Sequence, residues 1–133
     1  MSEYTSTLEG FQRAMEWSLT GPPEEAHVYA ESILMPTFYH TNNGKRRPYN
    51  DFVNNIAGWR DMISQFKLIV DEFLRDGDRL AAHMMTTIDI DGVISSIESF
   101  IFGKVDKESG KLEWMIERSI WGETGQALRR GVS

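Results

Sequence analysis

The stretch Arg75-Asp76-Gly77-Asp78-Arg79-Leu80-Ala81 decides the fold. Asp-Gly between two apolar runs is a strong hairpin signal, because both residues tolerate the positive φ that tight hairpin turns require. Upstream, Gln65 to Arg75 alternates, with Phe66, Leu68 and Val70 on one side, so it reads as a strand. Downstream, Arg79 to Ile90 is its partner, and Asp91-Gly92 turns the chain again. Val93 to Val105 is a third long strand, Asp106 to Gly110 a third turn, and Leu112 to Trp121 a fourth strand. Four strands joined by tight turns form an antiparallel meander, and strands this long must curl. The run Ile97–Val105 is apolar enough to aggregate if left open, so it belongs in a central strand or a subunit interface.

The first half of the chain has a different period. Ser6-Thr7-Leu8-Glu9 reads as a capping box, with Ser6 as cap, and Leu8, Phe11, Met15 and Leu19 follow at helical spacing. Thr20-Gly21-Pro22-Pro23 ends that helix. Pro22, Pro23, Glu24 and Glu25 suit the first turn of a second, whose buried face is Ala26, Tyr29, Ala30 and Ile33. Thr37 to Thr41 is β-branched and aromatic, a short strand, and Asn42-Asn43-Gly44 is a turn. Lys45-Arg46-Arg47 reads as a solvated loop. A third helix follows Pro48, with Asn50 as cap and Phe52, Ile56, Trp59 and Ile63 on one stripe. The order α-α-β-α followed by a meander is an α+β fold, not a parallel βαβ sheet.

The 133 residues suit one domain, with a core over about 6–122 and a polar tail over 123–133. Hydrophobic residues at 41% and charged residues at 26% are ordinary globular composition. The net charge of −6 repels phosphate backbones, so nucleic acid is not an expected partner. No cysteine is present, which removes disulfides, thiolate nucleophiles and cysteine zinc sites. No basic region followed by an apolar run opens the chain, and no apolar stretch nears the roughly 18 residues that span a bilayer. A cytoplasmic protein with no membrane association is expected. His27, His40 and His83 show no ligand spacing, and no glycine-rich phosphate loop exists, so neither a metal nor a nucleotide cofactor is expected.

This order of elements resembles the NTF2-like superfamily, and within it the SnoaL-like branch of cyclases, isomerases and dehydratases. Three features carry the resemblance: the Phe52/Ile56/Trp59 helix leading into a strand, the Arg75–Ala81 hairpin, and Gly110-Lys111-Leu112 at the entry to the last strand. It covers about residues 6–122, and the motifs mark turns rather than chemistry. It implies a cone-shaped α+β barrel in which a curved, mostly antiparallel sheet wraps three helices around a deep apolar cavity. It also implies a homodimer and a hydrophobic, carbonyl-containing small-molecule substrate such as a polyketide or terpenoid intermediate. Members include enzymes, ligand binders and dimerisation modules, so fold does not fix function. SnoaL-like cyclases commonly carry a catalytic aspartate near the end of the last strand. Here that stretch is Glu117-Arg118-Ser119-Ile120-Trp121-Gly122-Glu123. Either Glu117 substitutes, or the chemistry comes from elsewhere, or there is none. Ile120 to Glu123 is also similar to the end of scytalone dehydratase, another superfamily member, in which a tyrosine polarises the substrate carbonyl through water. That resemblance makes Tyr39 a candidate for the same task.

Candidate acid/base residues come from the strand faces. His83, Met85, Thr87 and Asp89 share one face, Ser96, Glu98, Phe100 and Phe102 another, and Glu113, Met115, Glu117, Ser119 and Trp121 a third. A histidine's unperturbed pKa lies near neutral pH, so His83 suits proton transfer; its bland reading is a histidine on the convex sheet face or in the dimer interface. Glu98 would act as an acid or base if buried; its bland reading is a cross-strand salt bridge at a dimer interface, with Arg118 as a partner. Glu117 has Arg118 and Lys104 as ready partners. The commoner reading of the pair Tyr39 and His40 is cavity wall plus rim. Trp17, Tyr29, Phe52, Trp59, Met84 and Phe100 are expected to line the pocket or fill the core. Both faces of these strands carry apolar residues, so alternation does not say which face is inward.

Overall fold

The computed structural model describes residues 2–123. The expected tail therefore lies, from residue 124 on, outside the described residues, while Glu123 itself ends a strand.

Helix α1 spans Leu8–Leu19. Its cap is Thr7, whose Oγ1 accepts from the Gly10 amide at 3.0 Å, and not Ser6, whose hydroxyl donates to the Ser2 carbonyl at 2.7 Å. A short 3₁₀ turn at Glu3–Thr5 occupies the register a Ser6 cap would need. Phe11, Ala14, Met15 and Ser18 form the buried face. The two prolines enter a second 3₁₀ turn, Pro23–Glu25, and helix α2 runs Ala26–Ile33 with Ala26, Tyr29, Ala30 and Ile33 buried.

Strand β1, Leu34–Asn42, turns through Asn43 and Gly44 at φ 51° and 86° into β2, Lys45–Pro48. The basic cluster is thus an edge strand, not a loop: His40 pairs with Arg47 and Thr41 with Arg46. Charged residues suit an edge, where they discourage further strand addition. Helix α3 spans Tyr49–Met62 with Pro48 at the cap position, so Asn50 lies inside the first turn. Phe52, Ile56 and Arg60 are its buried residues, and Trp59 and Ile63 are half-buried.

The meander follows as β3 Gln65–Asp76, β4 Arg79–Ile90, β5 Val93–Val105 and β6 Leu112–Glu123. Strand order is β2-β1-β6-β5-β4-β3. Only β1 and β6 pair in parallel; every other pair is antiparallel. The sheet is open, with β2 and β3 as its edges, so the cone does not close into a barrel.

The inner face carries Leu68, Val70, Leu80, Ala82, Ile101, Val105, Leu112 and Met115, packed with Phe11, Tyr29, Ile33, Phe38 and Phe52. The strand period of two then sends His83, Met85, Glu98, Phe100, Phe102, Ile116 and Ile120 to the outer face. Burial of this many aliphatic and aromatic groups, at about 1.5–3 kcal/mol each, is the main force holding helices to sheet.

Candidate functional site

Between the helices and the inner sheet face lies a cavity of about 130 Å³. Tyr29, Phe52, Trp59, Met84 and Trp121 supply much of its wall. Its polar groups converge from four strands and two helices: His40 and Asn42 of β1, Thr86 of β4, Ser99 of β5, Glu117 and Ser119 of β6, with Ser18 of α1 and Asn55 of α3. An apolar wall with a few convergent polar groups is the composition of a small-molecule site.

The register of β1 on β6 builds the central pair. Asn42 lies opposite Glu117 and His40 opposite Met115, so His40 and Glu117 are diagonal neighbours on the inner face. His40 Nε2 lies 2.8 Å from Glu117 Oε1. His40 is 5% exposed and the Glu117 side chain 12%. The Phe52 ring meets the imidazole edge-on at 4.9 Å and fixes its plane. His40 Nδ1 is buried without a hydrogen-bond partner among the described residues. Asn43 locks the register: its side chain donates to the Ser119 carbonyl at 3.1 Å and accepts from the Ser119 amide at 3.0 Å. Ser119 Oγ in turn donates to Asn42 Oδ1 at 2.8 Å.

Tyr29 lines the same cavity. Burial pushes its phenol far above the ordinary value; the Arg60 charge opposes that rise and Glu117 adds to it. The hydroxyl therefore stays protonated and serves as a donor. Behind it, Arg60 closes the end of α1: Nε donates to the Ser18 carbonyl at 3.0 Å, Nη1 to Pro22 at 3.1 Å and Nη2 to Trp17 at 2.7 Å. Burial lowers the Arg60 pKa. Gly21, at φ +107°, lets this guanidinium approach, since a Cβ there would stand 3.2 Å from Nη1.

The second histidine grouping lies on the other side of the sheet. His83 Nδ1 is 2.6 Å from Asp71 Oδ1, and Nε2 is 2.7 Å from Glu98 Oε2. A bulge between Val70 and Glu72 brings Asp71 into reach. The bonds to Glu98 and then Asp71 raise the His83 pKa. With both nitrogens facing carboxylates, the ring clamps β3, β4 and β5 together, and its charged form is favoured.

His83 and Glu98 therefore point away from the cavity, because β4 turns Leu80, Ala82, Met84, Thr86 and Ile88 inward and β5 turns Ile97, Ser99 and Ile101 inward. Tyr39 also faces outward, with the Arg46 guanidinium 3.5 Å over its ring. Phe100 is exposed and lies 4.8 Å from the His83 ring. Trp17 packs behind the cavity, between Tyr4 and Tyr29. Of the residues singled out from the sequence, His40, Glu117, Tyr29, Phe52, Trp59 and Met84 line the cavity. His40 gains its place only through the parallel β1·β6 pairing, which no local pattern announces. Arg60 continues the Phe52–Ile56 spacing by four residues, which was a legible sign of burial.

No protein-family model and no curated protein matches the sequence. Solved structures do match. BvnE pinacolase from Penicillium brevicompactum superposes with a TM-score of 0.70 at 10% identity, over 97% of this chain and 91% of that one. An LEH-like epoxide hydrolase from M. tuberculosis gives 0.65 at 16% identity, over 91% and 90%. A protein described as a SnoaL-like polyketide cyclase, from Shewanella denitrificans, gives 0.66 at 8% identity, over 91% and 95%. The chain has the NTF2-like fold.

Proposed function

We propose that this chain is a cofactor-free acid/base enzyme, an isomerase, cyclase or dehydratase, acting on a small hydrophobic molecule that carries a carbonyl. The observation that carries this reading is the His40–Glu117 pair set in the wall of the cavity beside Tyr29. His40 holds Glu117 through Oε1, which leaves Oε2 to take a proton from the carbon next to the carbonyl. The Tyr29 hydroxyl donates to the carbonyl oxygen as negative charge develops there. Glu117 then returns the proton to another carbon, or to a departing hydroxyl. The aromatic wall excludes water and strengthens each of these contacts. Three of the matched structures carry the names of small-molecule enzymes, which supports the class of function but not a reaction. A ~150 Å³ protein cavity accepts a benzene ring, so a cavity of about 130 Å³ suits a ligand with one ring's bulk at its buried end.

The test is hydrogen exchange in D2O, followed by NMR, over a panel of enolisable cyclic ketones. The reading expects catalysed exchange at the α carbon that Glu117→Gln abolishes. Binding without exchange would make the protein a ligand carrier using the same cavity. Neither binding nor exchange would sink the reading.

A homodimer through the outer sheet face is part of the same proposal. Phe102 is 65% exposed, and Phe100, Ile116, Ile120 and Met85 are exposed around it. Asp71 and Glu98 with His83 stand at one end of this face, and Arg118, opposite Phe100, has no ion-pair partner among the described residues. A two-fold axis near Phe100 would carry each Arg118 toward the other copy's carboxylates. Light scattering that returns a monomer at micromolar concentration would exclude it.

A further inference from the structure

Five hydroxyl-bearing residues line the cavity: Ser18, Tyr29, Thr86, Ser99 and Ser119. Two of them bond inside the protein. Ser18 donates to the Met15 carbonyl at 2.6 Å, and Ser119 donates to Asn42 Oδ1 at 2.8 Å. Tyr29 meets the carbonyl in the proposed reaction. Thr86 and Ser99 remain, with no side-chain hydrogen-bond partner among the described residues, although they are only 4% and 1% exposed. Their oxygens are not sealed in, because the one buried side-chain polar atom without a partner among the described residues is His40 Nδ1. Both oxygens therefore open onto the cavity. Packing gives no reason for hydroxyls here: Thr86 stands between Met84 and Ile88 on the inner face of β4, and Ser99 between Ile97 and Ile101 on that of β5. Valine and alanine would fill the same space without an unpaired polar group, which costs about 1–3 kcal/mol when buried.

Strand register places the two hydroxyls in line with Glu117. Thr86 lies opposite Ile97, two residues from Ser99, and Ser99 lies opposite Ser119, two residues from Glu117. The three residues form a diagonal across β4, β5 and β6, with steps of about 7–8 Å. Each step is close to the length of a cyclohexanone ring with its two end substituents. We infer that Thr86 and Ser99 are specificity residues of this cavity and hold a second oxygen, hydroxyl or carbonyl, on the side of the ligand away from its reacting carbonyl. The substrate class is then an oxygenated cyclic ketone, a hydroxyketone or diketone, and not a ketone whose far side is hydrocarbon. A hydroxyl both donates and accepts, so the pair suits either kind of oxygen. A ligand that fills the cavity shuts water away from Thr86 and Ser99, and a group that cannot replace those hydrogen bonds loses affinity. A site that bonds a substrate oxygen therefore rejects the analogue lacking it more firmly than an apolar pocket rejects an added methyl. Which end of the ligand meets Glu117 is taken from the acid/base reading.

The probes are 4-hydroxycyclohexanone and 4-methylcyclohexanone, which differ by a hydroxyl in place of a methyl. Each is titrated by NMR into the full chain and into the double variant Thr86→Val/Ser99→Ala. The full chain should bind the hydroxyketone about tenfold more tightly, and the double variant should erase or invert that preference. The double variant should also melt no lower than the wild type, because it removes hydroxyls that the fold leaves unpaired. Equal binding of the two ketones by the wild type, or a preference that survives in the double variant, would overturn the assignment. So would a Tm about 5 °C lower or more, which would make the hydroxyls structural. Exchange of the α protons, followed on the same samples, separates the two claims. Preference without exchange keeps the specificity residues and removes the acid/base reading, and exchange without preference does the reverse. Binding of neither ketone would remove both.

Discussion

Two histidine–carboxylate groupings lie on opposite faces of one sheet, and they differ in what they have left to offer. On the outer face, His83 bonds Asp71 and Glu98 with both ring nitrogens, and its side chain keeps 21% of its exposure. Water competes for that grouping, and its imidazole holds no nitrogen in reserve. On the inner face, the His40–Glu117 bond uses one nitrogen and one carboxylate oxygen, both side chains being largely buried in the cavity wall. Low dielectric makes each remaining contact stronger there. A grouping becomes a site when it is both enclosed and unsaturated; the outer one is neither.

The largest effect expected from this contrast is on rate. Glu117→Gln should lower α-proton exchange by about 10²–10⁴-fold, the usual worth of a general base, whereas Glu98→Gln should leave exchange unchanged in the same NMR assay. Equal losses would erase the distinction between the faces. Next comes stability. His40→Phe keeps the volume and leaves Glu117 without its donor, so urea unfolding should show a loss of about 1–3 kcal/mol. A smaller effect is expected at the outer face: Phe102→Asp should weaken self-association by about 1–2 kcal/mol in sedimentation equilibrium and change monomer stability by about 0.5 kcal/mol or less.

The smallest effect concerns pH. His83 has a raised folded-state pKa, through Glu98 first and Asp71 second. Its contribution is fully present below the unfolded value of about 6.5 and is lost as pH rises through the higher folded value. The wild-type Tm should therefore fall, by a few degrees at most, from pH 6 upward, and His83→Gln should flatten that slope. The grouping is partly solvated, so its worth stays below about 1 kcal/mol.

Much of the fold was legible in the chain. Asp76-Gly77 and Asp91-Gly92 bound β4 at Arg79 and Ile90, and the structure places its ends at those residues. The buried quartet Ala26, Tyr29, Ala30 and Ile33 follows helical spacing alone. Lys45-Arg46-Arg47 misled because a short edge strand needs no apolar residue; its ladder to β1 supplies the order. The inward face of β4 and β5 was illegible because Met85, Phe100 and Phe102 are as apolar as the residues facing in. The site was half legible for a related reason. Glu117 and the aromatic wall lie in local patterns, but His40 reaches Glu117 across 77 positions of sequence through a parallel pairing.

The most direct test of the contrast is the protonation of the two rings, read by long-range ¹H–¹⁵N NMR of the histidine side chains at pH 7. The account predicts a hydrogen-bonded Nε2–H on His40, held by Glu117, and a doubly protonated imidazolium for His83. A His40 whose Nε2 carries no hydrogen, or a neutral His83, would contradict it.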